Sequence, residues 1–195
     1  MLDKSVPYAG LYMRRAAGAQ IADCPLPDGH EFTFYKDGDA PGWARIETSV
    51  LEFGSEFAAL MHFNEKFAPF PDELRHRCIF IENCSGAKIA TATAWWFDVN
   101  GLRRPWLHWV SVDPAHQGLG LGKALVSRVT RLMLDLEGDA DFYLHTQTWS
   151  YKAISIYMNN GFMPTDEKAL YTEYRNNYKK ALRILARLKK RGIML

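Results

Sequence analysis

Residues 107–128 read LHWVSVDPAHQGLGLGKALVSR, and the fold turns on how this stretch is read. Apolar residues Leu107 to Val112 suit a buried strand, Asp113-Pro114 ends it, and a glycine-rich turn follows. The turn runs Gln117, Gly118, Leu119, Gly120, Leu121, Gly122, Lys123. Glycines at every second position allow the backbone to curl so that several amide hydrogens point into one concavity. A helix carrying Leu125, Val129, Leu132 and Leu136 on one face begins there, and its dipole adds positive potential. Such a place holds a phosphate or pyrophosphate. A dinucleotide-binding turn is the competing reading, but it needs a glycine where Lys123 stands and a strand at the start of a βαβ unit. Here the strand comes after at least three others.

Working outward, strands are expected at Ala9 to Arg15, Glu31 to Tyr35, Cys78 to Asn83, Ile89 to Phe97, Trp106 to Val112 and Asp141 to Thr148. The alternate small residues Ala90, Ala92 and Ala94 suggest close packing. Trp43 to Asn64 has helical spacing, with Gly54 as a dividing point, and the FAPFP run at 67–71 breaks it. Gly138 ends the helix that follows the glycine turn. A short helix from the Ser150 cap to Asn159 stops at Gly161, a hairpin fits Met163 to Tyr174, and a basic helix fits Asn177 to Arg191 with Ala181, Leu182, Leu185 and Leu188 inward. Strands in mixed order with helices between them indicate one α/β (α+β) domain over residues 1–195, with a core at about 78–174 and a C-terminal helix at 175–195.

Composition narrows the class. The chain has 195 residues and a formal charge of +2, too small to argue for nucleic acid or a membrane surface. No apolar run approaches the roughly 20 residues needed to cross a bilayer, and MLDKSVPYAG has no apolar signal core. A cytoplasmic protein is expected. Cys24, Cys78 and Cys84 are odd in number and lack C-x-x-C spacing, which suits a reducing compartment. His30, His62, His76 and His145 form no metal-ligand spacing, so no metal is expected.

A second motif, SYKAISIYMNNGF at 150–162, narrows the first. Ala153 gives a close-packed helix surface, and Tyr157 lies one turn along the same face. Together the two segments resemble the GNAT superfamily of acyl-CoA-dependent N-acyltransferases. Val112, Pro114, Gln117, Gly118, Gly120 and Gly122 fit its V-x-P-x-x-Q/R-G-x-G-x-G/A pattern. Ala153, Tyr157, Gly161 and Phe162 fit its second motif, Ile156 replaces a leucine, and Ser150 stands where asparagine is common.

The resemblance implies a GNAT fold: a mixed central sheet whose parallel middle strands splay, flanked by helices. It implies acetyl-CoA as cosubstrate, with the amides of Gln117, Gly118, Leu119, Gly120, Leu121, Gly122 and Lys123 on the pyrophosphate. Ser150, Ala153 and Tyr157 would complete the cofactor site. The pantetheine arm would pair with Val110, Ser111 and Val112. The Val110 amide would polarise the thioester carbonyl, and Tyr157 would protonate the departing thiolate. A base is useful because amines are mostly ammonium at neutral pH. Strand alternation puts Trp106 and His108 on the side of Val110, and only His108 titrates near neutrality. A purely structural His108 stays open, with Glu52, Glu56 and Asp98 as fallback bases.

The activity implied is acetyl transfer from acetyl-CoA to a primary amine on a small molecule, peptide or protein. The rival is a non-catalytic acyl-CoA-binding GNAT module acting as sensor or scaffold. A homodimer is left open. Trp95, Trp96, Trp106, Trp109 and Trp149 flank the proposed cleft in sequence and could line an acceptor pocket, although aromatics like these are more often core. The phenylalanines between Phe53 and Phe67 fit an apolar or aromatic acceptor as well as they fit core packing. His116, in the turn, is expected to face solvent or the anion.

Overall fold

The computed structural model describes residues 2–99, 101–167 and 175–193. Seven strands form one mixed sheet: β1 (Gly10–Arg15), β2 (His30–Phe34), β3 (Cys78–Asn83), β4 (Lys88–Val99), β5 (Leu102–Val112), β6 (Phe142–Gln147) and β7 (Phe162–Thr165), in the order β2-β3-β4-β5-β6-β1-β7. The flanking helices are α1 (Ala40–Ser49), α2 (Glu56–Lys66), α3 (Pro71–Arg77), α4 (Leu121–Glu137), α5 (Tyr151–Asn159) and α6 (Tyr178–Lys190). β5 and β6 are parallel, paired at Trp106 and Tyr143, whereas β1–β6, β1–β7, β2–β3 and β3–β4 are antiparallel. The expected mixed α/β class is therefore observed. The described chain divides into two compact units, one of Asp23–Trp95 and His108–Leu132, the other of Leu2–Ala22, Trp96–Leu107 and residues from Met133 onward.

In the first unit, α1 buries Trp43, Ala44, Ile46 and Glu47 completely. The apolar stripe of the sequence breaks at Gly54 as expected, and Ser55 caps the new helix by accepting from the Ala58 amide at 3.2 Å. The FAPFP run does more than break a helix. Pro71 opens α3, because a first-turn residue has no amide bond to lose. Asp72 and Glu73 in the first turn and Arg75, His76 and Arg77 in the last then suit the helix dipole. In β4, Ala90, Ala92 and Ala94 are fully buried on one face and Thr91 and Thr93 on the other, so this strand is covered on both sides. Of the cysteines, Cys78 is buried in β3, Cys24 half-buried and Cys84 exposed, all three as free thiols. Burial pushes the Cys78 thiol up to about 12.

In the second unit, Tyr12, Trp106 and Tyr143 pack together with Phe97 against them. Arg15 is almost wholly buried, yet its guanidinium donates to Asp139 at 3.1 Å and to the Ala19 carbonyl. Two side chains expected inward turn out: Leu136 is 37% exposed and Leu182 is 36% exposed. Ile184 takes the inward place on α6 beside Ala181, Leu185 and Leu188. β7 supplies one strand of the expected 163–174 hairpin and pairs with β1, while 168–174 lie outside the described residues.

Gly10 marks a close backbone approach. A Cβ there would lie 2.3 Å from the Arg175 carbonyl oxygen and 3.1 Å from His145 Nε2. Neither a main-chain oxygen nor a packed imidazole yields cheaply. Gly10→Ala is expected to cost about 1–3 kcal/mol and to lower Tm by several degrees in a thermal melt, with an unchanged melt refuting the tight approach.

Candidate functional site

The glycine turn has the geometry its composition calls for. Gly118 and Gly120 have φ of +88° and +87°, a region where a side chain is strained. Asp113 accepts from the Ala115 amide at 3.0 Å, and Gln117 Nε2 donates to the Val112 carbonyl at 2.8 Å, which fastens the turn to the end of β5. The amides of Lys123 and Ala124 return to the Gly120 carbonyl, opening α4. Among the described residues, the amides of Gly118, Leu119, Gly120, Leu121 and Gly122 donate to no protein acceptor. These are orphan donors at a helix N-terminus. A Cβ built at Gly118 would meet nothing within 4 Å, so the turn opens outward. The exposed Lys123 adds a cation. His116 is half-buried, with Nδ1 3.8 Å from Asp113 Oδ1, turned toward that carboxylate.

Upstream, the strand departs from regularity. Trp109 has φ +49°, and a bulky residue there stores on the order of 1–3 kcal/mol. Its indole contacts Trp43 at 5.8 Å, Phe53 at 5.1 Å and His62 at 5.1 Å between ring centroids. Aromatic contacts contribute about 0.5–1.5 kcal/mol each beyond their buried area, enough to offset the strain. Strict alternation does not pass through a left-handed residue, so the two-residue spacing of His108 and Val110 does not by itself set them on one face. Trp106 belongs to the second unit's core, 5.8 Å from the Tyr12 ring. His108 lies in the first unit, its half-buried ring 6.5 Å from those of Phe67 and Trp109. Val110 and Val112 are half-buried and Ser111 is buried. In the first unit Trp95 packs on Phe67, which also touches Trp43, the neighbour of Trp109; in the second, Arg103 covers Trp96 and Trp149 packs on Tyr8.

Sequence reading passed over Glu47. It is fully buried, accepts a 2.9 Å hydrogen bond from Ser111 Oγ at Oε2, and has no partner at Oε1 among the described residues. Burial drives its carboxyl up to about 8, opposed by the Ser111 bond and assisted by the charge of Glu52. The signal was present in the sequence: a glutamate four residues after Trp43 falls on the stripe that faces the sheet. Arg45, on the same helix, donates to Asp113 at 3.0 Å and to the Lys88 carbonyl. The fallback bases Glu52, Glu56 and Asp98 are all exposed.

In the second unit, Ser150 stands at the N-cap of α5, but its side chain makes no capping bond. Its Oγ accepts from Gln147 Nε2 at 3.3 Å instead. Ala153 is half-buried, and Tyr157 is buried with its ring 6.3 Å from Phe162. His145 on β6 is held down to about 4 by burial and is neutral at physiological pH. So Val110, Ser111, Val112, Gln117 to Lys123 and His108 share the first unit, and Ser150, Ala153 and Tyr157 share α5 of the second. No group of His, Cys, Asp or Glu able to hold a metal occurs among the described residues, and none of their helices is long and apolar enough to cross a membrane.

Glu47 makes stability pH-dependent. Its folded carboxyl titrates near 8 against 4.5 when unfolded, so the unfolded chain releases a proton that the folded chain retains. Stability from this group is full below pH 4.5 and falls as pH rises toward 8, by a total on the order of 5 kcal/mol. In denaturant titrations at pH 5, 7 and 9, the wild type is expected to lose stability relative to Glu47→Gln. Parallel curves would show the carboxyl ionised in the fold.

The family model described as "Acetyltransferase (GNAT) family" matches residues 43–162. Among solved structures, the chain is similar to a GCN5-related N-acetyltransferase from Sphaerobacter thermophilus, at 18% identity and TM-score 0.63, covering 82% of this chain and 49% of that one. It is similar to a GCN5-related N-acetyltransferase from Ralstonia eutropha, at 23% identity and TM-score 0.51, covering 72% of this chain and 97% of that one. A GNAT-family acetyltransferase from Colwellia psychrerythraea shares 13% identity at TM-score 0.57, covering 84% of this chain and 55% of that one. The chain thus spans about half the length of the Sphaerobacter and Colwellia proteins. No curated protein matches it. These likenesses carry the fold, and the family match covers more than half of the chain, so the chain belongs to the acetyltransferase (GNAT) family.

Proposed function

We propose that the chain transfers the acetyl group of acetyl-CoA to a primary amine. The observation that supports this most is the turn at Gly118 to Gly122, where five amides without protein acceptors meet the start of α4. Orphan amides at a helix N-terminus suit a pyrophosphate, and Lys123 adds charge of the right sign. The thioester of acetyl-CoA supplies an activated acyl group. Val110, Ser111 and Val112 offer strand backbone to the arm that carries it. The Val110 amide stabilises the oxyanion that forms when the amine attacks. The new C–N bond forms as the C–S bond breaks. The departing thiolate takes up a proton, its thiol having a pKa of about 8.5. His108 takes the proton that the amine must lose, directly or through water. Exposed Leu51, Phe57 and Met61, each within four residues of Phe53 or His62 in sequence, favour an acceptor with an apolar group beside its amine.

Two variants test this. Gly120→Asp is expected to abolish acetyl-CoA binding in calorimetry, since a side chain strains φ +87° and places a negative charge at the anion site. His108→Ala is expected to lower kcat by about 10²-fold with little change in acetyl-CoA affinity. The assay follows release of CoA over phenethylamine, spermidine, an aminoglycoside and a lysine peptide. Turnover fastest with phenethylamine supports the apolar acceptor. Binding of acetyl-CoA without turnover on any amine would favour a non-catalytic module, and wild-type kcat in the His108 variant would remove His108 from the chemistry.

A further inference from the structure

Helix α1 grips the end of β5 at three points. Trp43 packs edge-on against Trp109, Glu47 accepts from Ser111, and Arg45 pairs with Asp113. The residues between these points are Val110 and Val112, the backbone assigned above to the thioester arm. The three contacts differ in kind. The Trp43 contact is apolar packing, and the Arg45 pair is partly exposed, with Arg45 at 43%. Glu47 is the exception: a carboxyl at a sheet-facing position with no exposure at all. An apolar side chain of similar volume would fill that position without the cost of burying an ionisable group. The only bond the described residues make to this carboxyl comes from Ser111, the neighbour of Val110.

We propose that Glu47 is a positioning residue for acyl transfer: by holding Ser111, it fixes the direction of the Val110 amide beyond the left-handed residue at Trp109. The proposal rests on the acetyl-CoA reading given above. Its logic is mechanical. A left-handed residue re-aims the segment after it, and the Glu47–Ser111 bond ties that segment to α1. The tie is made by the neutral acid. Around it, Ser111 on β5 is uncharged, Cys78 on β3 stays a thiol because burial pushes it up to about 12, and Glu52 beyond α1 opposes a second negative charge. Arg45, on the same helix, is turned to Asp113 and the Lys88 carbonyl. Ionisation of Glu47 at alkaline pH would place an uncompensated charge beside the sheet and loosen the segment it holds.

The test uses the full chain and two readouts: acetyl-CoA affinity by calorimetry, and amide hydrogen exchange in the peptide containing Val110 to Val112. Glu47→Leu is expected to weaken acetyl-CoA binding by about tenfold or more and to speed exchange at Val110 to Val112, while the melt shows an intact fold. Glu47→Gln, which still accepts from Ser111, is expected to recover most of the affinity and to lose the wild type's decline in affinity between pH 7 and 9. Ser111→Ala removes the same bond from the strand side and serves if Glu47→Leu does not fold. It is expected to match Glu47→Leu in both readouts, with little added effect in the double variant. Wild-type affinity and exchange in the Leu or Ala variant would overturn the proposal. A wild-type chain that fails to bind acetyl-CoA would overturn the donor reading instead, and the exchange measurement would still decide whether Glu47 holds the strand.

Discussion

The left-handed backbone at Trp109 is the constraint on which the first unit's chemistry rests. Tryptophan has no intrinsic preference for that region, so the conformation exists because the surroundings impose it. Three rings from two helices and the loop between them take up the indole. The gain is directional. A strand that alternates strictly would commit successive side chains and amides to fixed faces, whereas a left-handed break re-aims everything after it. Val110 is the first residue after the break, and the strand then leads through Ser111 and Val112 into the glycine turn. Donor turn and strand end are thus one continuous segment, pinned at one side by α1.

That pinning uses electrostatics that work against stability. A fully buried carboxyl with one hydrogen bond is a poor choice for a core, and the fold answers by keeping it protonated. The exposed Glu52 reinforces the neutral form rather than relieving it. His145 in the second unit follows the same rule with the opposite sign, burial holding the imidazole neutral by lowering its affinity for protons. Each unit therefore buries an ionisable group in its uncharged state.

Much of this was legible from residue types alone. Gly118 and Gly120 adopt the positive φ that a curled anion-binding turn demands, and strand positions followed from apolar runs bounded by turn residues. Gly54 divided α1 from α2 where the helical stripe suggested. Other features were hidden because they depend on partners distant in sequence. Nothing near Trp109 encodes a left-handed conformation; Trp43, Phe53 and His62 create it. The FAPFP run was read as a breaker, although its last proline opens α3. Leu182 was placed on the inward stripe of α6, and the packing gives that place to Ile184. Glu47 escaped notice because a glutamate within an amphipathic helix is normally solvated.

The cysteines set a chemical background for any reaction that releases a thiol. Cys78 is inert to alkylating and disulfide reagents, because its sulfur is enclosed and stays protonated far above neutral pH. Cys84 is exposed at the turn joining β3 and β4, and Cys24 is half-exposed. A thiol-specific dye added to the native chain should therefore count two protein sulfurs and not three. The third would appear only on unfolding, which makes Cys78 an internal reporter of whether the first unit has come apart.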